Sequence, residues 1–204
     1  MLLNIEESQL VLVDYQIRLM PAMWEADTVI ANAVRLTQIA ALLEVPVFAT
    51  EQNPSKLGGS VPMLDAALKE AKARLFSKMH FGAVEEGFGE WLVPPPKPVQ
   101  GNARSLPKHL QKPRAPENER RSIVIAGCEA HVCLLQTALQ LLEDELDVWV
   151  VTDACSSRTE RNRDAAFDRL AGAGAELVTT EMVAFEWLRT AENPDFKAVH
   201  ALIK

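Results

Sequence analysis

Apolar residues along this chain follow two rhythms. Short unbroken runs rich in β-branched side chains alternate with longer stretches in which apolar positions recur every three or four residues. The first pattern suits strands buried on both faces, and the second suits amphipathic helices. Residues 9–13 (Gln-Leu-Val-Leu-Val) predict a first strand that ends at Asp14. Val29, Ala33, Leu36, Ile39, Ala40 and Leu43 share helical spacing, so 28–44 is expected to be a helix with Asp27 as its N-cap.

The alternation continues. Residues 45–50 predict a second strand, 60–73 a helix capped by Ser60 with Pro62 in its first turn, and 74–78 a short third strand. Residues 123–126 read as the fourth strand. Leu135, Ala138, Leu139 and Leu142 mark one face of a helix running to about Asp144, and 148–152 is the fifth strand. A helix over 159–171, stopped by Gly172 and Gly174, leads to a sixth strand at 175–179 and closing helical segments. Strands that alternate with helices imply right-handed crossovers. The expected fold class is therefore α/β, a three-layer α/β/α sandwich around a six-stranded, mainly parallel, doubly wound sheet. In such a fold the site lies beyond the carboxyl ends of the strands.

A length of 204 residues suits one domain, 1–204, with a single core. One stretch breaks the rhythm. Residues 94–121 hold seven of the 12 prolines and seven of the 21 lysines and arginines against two acids, which reads as a loop insertion unable to build a core. The chain as a whole carries a net charge of −7, which disfavours a general polyanion binder and leaves 94–121 as the one place where nucleic acid could bind. That segment has no aromatic residue on which bases could stack. No apolar stretch is long enough for a membrane span, and the amino-terminal residues lack the features of a secretory signal, so no membrane partner is expected. A cytoplasmic location is expected, with mitochondrial association left open. Three cysteines, Cys128, Cys133 and Cys155, make a disulfide framework improbable.

Three reactive side chains stand near strand ends: Asp14 after the first, Lys78 after the third, and Cys133 one turn beyond the fourth. A thiol in the first turn of a helix feels the positive end of the helix dipole, which favours the thiolate, and a nearby lysine would add to that. A carboxylate within reach can accept the thiol proton and return it to a leaving group. Taken one at a time, a cysteine such as Cys133 is more often a small buried hydrophobe than a nucleophile, an aspartate such as Asp14 more often a turn former, and a lysine such as Lys78 more often a solvated charge.

The surrounding residues are more specific. The run Ile125-Ala126-Gly127-Cys128-Glu129-Ala130-His131-Val132-Cys133 resembles the nucleophile elbow of the isochorismatase-like cysteine hydrolases. Leu12-Val13-Asp14-Tyr15-Gln16, Ser77-Lys78 and Asp153-Ala154-Cys155-Ser156-Ser157-Arg158 resemble that superfamily's other motifs in order and spacing. Thr50-Glu51-Gln52-Asn53-Pro54 and Val61-Pro62 look most like its isochorismatase domain-containing protein branch.

The resemblance implies a catalytic triad of Asp14, Lys78 and Cys133. It also implies a cis peptide between Cys128 and Glu129, and an oxyanion hole made by the N–H groups of Glu129 and Cys133. Hydrolysis of an amide or ureido-type C–N bond in a small molecule, through a thioester, is the activity expected, and a non-catalytic binding member of the fold is the alternative. Tyr15, His80, Phe81 and His131 are candidate walls of the substrate pocket, each equally suited to a core or surface role, while Gln16 is expected to orient the first loop, with substrate contact as its lesser role. Relatives in the superfamily assemble as dimers, tetramers or octamers, so a homo-oligomer is expected. Metal-dependent relatives carry an Asp-x-His pair after the second strand, where this chain has Glu51-Gln52-Asn53, so no metal and no other cofactor is expected.

Overall fold

The structure, a computed structural model, describes residues 2–95 and 120–204. Most of the 94–121 insertion lies outside the described residues. Six strands form one sheet in the order β3-β2-β1-β4-β5-β6, and every adjacent pair is parallel. The strands are β1 (Ser8–Val13), β2 (Val47–Gln52), β3 (Arg74–Lys78), β4 (Ser122–Gly127), β5 (Asp147–Val151) and β6 (Glu176–Val178). Every residue of β1, β2 and β4 is buried, as an unbroken apolar run in a covered parallel sheet requires.

The crossover helices on the β1–β3 side are α1 (Ala26–Leu42), the single turn α2 (Pro54–Leu57) and α3 (Pro62–Glu70), and α4 (Phe88–Leu92) follows β3. On the β4–β6 side are α5 (Leu135–Glu143) and α6 (Glu160–Gly172), followed by α7 (Thr180–Leu188) and α8 (Phe196–Ile203). Helix α1 packs with α3, α7 and α8, while α5 packs with α6, which gives a helical layer on each face of the sheet. Their apolar stripes meet the sheet in one core that runs from Leu10 and Val11 through Leu36 and Ile39 to Ile123, Ile125, Leu141 and Val150.

The strands and the helix starts fall within two residues of their sequence-predicted bounds, but the residues that begin the helices differ. Helix α1 begins two residues earlier than expected, after Glu25, whose backbone is left-handed and whose side chain makes no capping bond. Asp27 is thus not the N-cap; it sits in the first turn, where its charge complements the helix dipole. Ser60 does not cap α3 either. Its N–H and hydroxyl both donate to the Glu51 carboxylate (2.7 and 3.0 Å), and Pro62, which has no N–H to satisfy, starts the helix. Helix α6 runs through Gly172, and the reversal falls on Gly174, at φ 103°.

Candidate active site

Strand order reverses between β1 and β4, which is where a doubly wound sheet opens a crevice at its carboxyl edge. Strand β1 delivers Asp14 to this edge. Its N–H donates to the Thr50 carbonyl at 3.1 Å, and the backbone then turns through a left-handed φ of 57°, a conformation aspartate tolerates better than most residues. Strand β4 approaches β1 so closely that a Cβ on Gly127 would stand 2.6 Å from Val13 Cβ and 2.7 Å from Val13 O. Only glycine fits that seam. The next N–H, of Cys128, donates to the same Val13 carbonyl at 2.9 Å.

Lys78 ends β3, two strands away from β1, a span of about 10 Å. Its side chain crosses the end of β2 and is almost fully buried. A buried ammonium must be paired and hydrogen-bonded. Its Nζ donates to Asp14 Oδ2 at 2.8 Å, to Gln52 Oε1 at 2.8 Å and to the Phe81 carbonyl at 3.0 Å, with the His80 carbonyl at 3.3 Å. Asp14, also buried, accepts from the Thr50 hydroxyl at 2.7 Å through its other oxygen. Both carboxylate oxygens are therefore occupied and oriented.

Cys133 does not occupy the first turn of an ordinary α-helix. It lies in a π-helical turn, Ala130–Leu134, that leads into α5. The thiol is 4% exposed, and burial is the main reason its pKa is pushed up to about 12. The Asp14 charge and the hydrogen bond between the thiol and Asp14 push in the same direction, while the Lys78 ammonium opposes them. The expectation that the helix dipole and Lys78 would favour a resting thiolate is thus corrected. Desolvation wins, and the thiol is protonated at neutral pH beside a carboxylate placed to take its proton. Cys155 is likewise raised to about 12 by burial, and burial holds the Cys128 thiol well above its ordinary value.

The peptide between Cys128 and Glu129 is cis. Among the described residues the Glu129 N–H has no acceptor, whereas the neighbouring N–H of Ala130 donates to Ser156 O at 2.7 Å and that of Val132 to Glu129 O at 3.0 Å. The Glu129 carboxylate pairs with Arg158, whose side chain is largely exposed.

The five candidate pocket residues separate. Tyr15 is buried and donates its hydroxyl to the Ala154 carbonyl. Gln16 is buried and joins the first loop to β2, donating to the Gln52 and Gly58 carbonyls (2.9 and 2.6 Å) and accepting from the Gln52 N–H at 2.8 Å. Both side chains are therefore held inside the fold, Gln16 in the loop-orienting role expected of it. His80 and Phe81 are exposed at the loop after β3, and their carbonyls, not their rings, meet Lys78. His131 is half-buried with Nδ1 2.9 Å from Ser157 Oγ, and this contact holds the π turn against the segment after β5.

Thr50, Gln52 and Glu86 belong to this site and were not singled out from sequence. Thr50 and Gln52 enter the sequence reading only as members of the Thr50-Glu51-Gln52-Asn53-Pro54 motif, where Thr50 reads as an ordinary strand former and Gln52 stands between the two positions at which metal-dependent relatives carry ligands. Glu86 shows no sequence signal beyond charge. No group of three or more His, Cys, Asp or Glu side chains is placed to hold a metal ion among the described residues. A separate hollow of about 420 Å3, lined by Leu2, Met182, Phe185 and Arg189 among others, shares no residue with the triad.

Comparison with known proteins places this geometry in a family. The isochorismatase domain model matches residues 8–182. The mouse isochorismatase domain-containing protein 2A is 33% identical over 199 residues, covering 98% of this chain and 84% of its own length. The secreted isochorismatase effector Isc1 of Phytophthora sojae is 35% identical, covering 89% of this chain and 77% of its own. Among solved structures, the MAR1 ribonuclease of Caenorhabditis elegans superposes with a TM-score of 0.83 at 30% identity, covering 100% of this chain and 92% of that one. The ycaC gene product of Escherichia coli, described as an octameric hydrolase of unknown specificity, superposes with a TM-score of 0.80 at 26% identity, covering 99% and 89%.

Proposed function

The chain belongs to the isochorismatase family, and from that premise we propose that it hydrolyses a C–N bond of amide or ureido type in a small molecule, through a thioester on Cys133. The observation that carries this reading is the buried Lys78–Asp14 pair, 2.8 Å apart, with Asp14 in hydrogen-bond contact with the Cys133 thiol. Asp14 takes the thiol proton as sulfur attacks the carbonyl carbon, and the new oxyanion accepts from the N–H groups of Glu129 and Cys133. Collapse of the intermediate breaks the C–N bond, with Asp14 returning its proton to the departing nitrogen. Water, deprotonated by Asp14, then attacks the thioester, releasing the acid and restoring the thiol. Lys78 keeps a positive charge beside both groups throughout, which offsets the cost of forming a thiolate in a dry site. The octameric state described for the E. coli relative supports a homo-oligomer here.

The test is a panel of small amides, carbamoyl compounds and vinyl ethers, run with wild-type protein and Cys133→Ala. Turnover should be lost in the variant, and mass spectrometry of quenched wild-type reactions should find an acyl group on the Cys133 peptide. Unchanged turnover by Cys133→Ala would remove the covalent scheme. A second reading, binding or cleavage of RNA using the basic 94–121 segment, draws on one observation: a relative 30% identical in sequence is described as a ribonuclease. Deleting 96–119 and measuring polyanion binding at two salt concentrations tests it, since an unchanged affinity eliminates that role for the segment.

A further inference from the structure

Lys78 is held by more than its ion pair. The loop that follows it, Met79 to Glu86, wraps around the ammonium and turns the carbonyls of His80 and Phe81 onto Nζ. A loop of exposed residues does not hold two carbonyls inward without anchors, because their alternative is water. Three anchors are visible. On the β2 side, Gln52 accepts from Lys78 through Oε1 and donates from Nε2 to the Met79 carbonyl at 2.7 Å, so one side chain bonds both the cation and the loop. Within the loop, Glu86 Oε1 accepts from the Met79 N–H at 2.6 Å, the His80 N–H at 2.5 Å and His80 Nδ1 at 2.8 Å. The His80 N–H is the main reason the Glu86 carboxyl is held below its ordinary pKa, with the His80 ring and the Met79 N–H adding to it. On the far side, the Ala83 N–H donates to the buried Thr137 hydroxyl at 3.1 Å, and Glu85 accepts from Gln140 Nε2 at 2.9 Å. Thr137 and Gln140 belong to α5, the helix that continues from the turn bearing Cys133.

We infer that Glu86 and Gln52 are positioning residues for the proposed hydrolysis: through the Met79–Glu86 loop they fix the Lys78 ammonium on Asp14 and Cys133, and the loop's docking on α5 keeps cation and thiol in register. This rests on the triad reading. It goes beyond it by assigning roles to two residues that touch neither the thiol nor the Asp14 carboxylate. A carboxylate at position 86 is well suited to the task, since one oxygen gathers three donors from adjacent residues.

The experiment uses the full chain and two alkylating reagents of similar size, neutral iodoacetamide and anionic iodoacetate, with Cys133 modification followed by peptide mass spectrometry. A loosened loop changes access for both reagents alike, whereas a displaced ammonium acts selectively against the anion. The ratio of iodoacetate to iodoacetamide rates therefore reports the charge beside Cys133. Glu86→Ala should lower that ratio by about fivefold, the order expected for a unit charge withdrawn from a partly screened site. Glu86→Gln, which loses the same negative charge but keeps an acceptor oxygen, should stay at or above the wild-type ratio. Gln52→Met should lower the ratio as Glu86→Ala does, and if that buried substitution does not fold, the half-exposed Glu86 pair decides alone. A wild-type ratio in Glu86→Ala, or equal losses in Glu86→Ala and Glu86→Gln, would overturn the inference. Either result is separate from the fate of the covalent scheme, which depends on turnover by Cys133→Ala.

Discussion

Two ion pairs stand at the carboxyl edge of this sheet, one in each half, and they differ in almost every physical respect. In the β1–β3 half, Lys78 and Asp14 have side chains 0% exposed; Lys78 Nζ also donates to Gln52 and to the Phe81 carbonyl, and the second Asp14 oxygen accepts from Thr50. In the β4–β6 half, Arg158 has a side chain 60% exposed and, among the described residues, bonds only the Glu129 carboxylate, which is 10% exposed. Sequence proximity to the nucleophile would rank them the other way, since Glu129 is four residues from Cys133 and Lys78 is 55 residues away. Burial decides instead. A charge pair removed from water acts at short range without screening and cannot lose one member cheaply, whereas a solvated pair is close to neutral in energy.

The largest effect should follow from breaking the buried pair. Lys78→Met leaves the Asp14 carboxylate uncompensated and should cost about 3 to 5 kcal/mol in urea denaturation. Combining it with Asp14→Asn should recover part of that loss, and strictly additive losses would mean that the two residues are not coupled. Alkali should come next. The Cys133 and Cys155 thiols have pKa values raised to about 12 from an ordinary 9.0, so the unfolded chain ionises first as pH rises. Their contribution to stability is full below pH 9 and is lost between 9 and 12, each tenfold difference in ionisation corresponding to about 1.4 kcal/mol. Thermal denaturation over that range should show the decline, and it should be smaller in Cys155→Ser than in wild type.

At the seam between the halves, Gly127→Ala would press a methyl group into Val13 and should cost about 1 to 3 kcal/mol while also slowing Cys133 chemistry. A variant as stable as wild type would show that the strands can part without consequence. The smallest effect belongs to the outer pair. Arg158→Ala removes a cation that is mostly in water but leaves the Glu129 carboxylate, 10% exposed, without it, so the thermal midpoint should fall by only a few degrees, and a fall as large as that of Lys78→Met would mean that burial of the cation does not set the difference.

Much of this molecule is legible in its sequence. Unbroken apolar runs placed the central strands β1, β4 and β5, because a strand covered on both faces leaves no position for a polar residue to repeat, whereas the edge strands β3 and β6 are short and partly exposed. The helices between them fixed a doubly wound sheet, and that topology put Asp14, Lys78 and the turn bearing Cys133 at one edge. Helix starts were less legible, since Asp27 and Ser60 have the chemistry of caps and yet are used otherwise: a left-handed Glu25 begins α1, and the Glu51 carboxylate occupies Ser60. A capping residue is chosen by backbone geometry as well as by side-chain type.

What only the tertiary structure decided is the electrical state of the site. Position in a first helical turn and a nearby lysine argued for a thiolate, but the depth of burial and the neighbouring carboxylate outweigh the Lys78 ammonium, and both depend on how α5 and β1 pack. The same holds for Gln52 and Glu86. Their residue types carry no signature, and their importance comes from hydrogen bonds that exist only once β2, α5 and the loop after β3 are brought together. Sequence determined which reactive groups this protein has and which edge they share; packing determined their charge, because solvation is a property of the assembled fold.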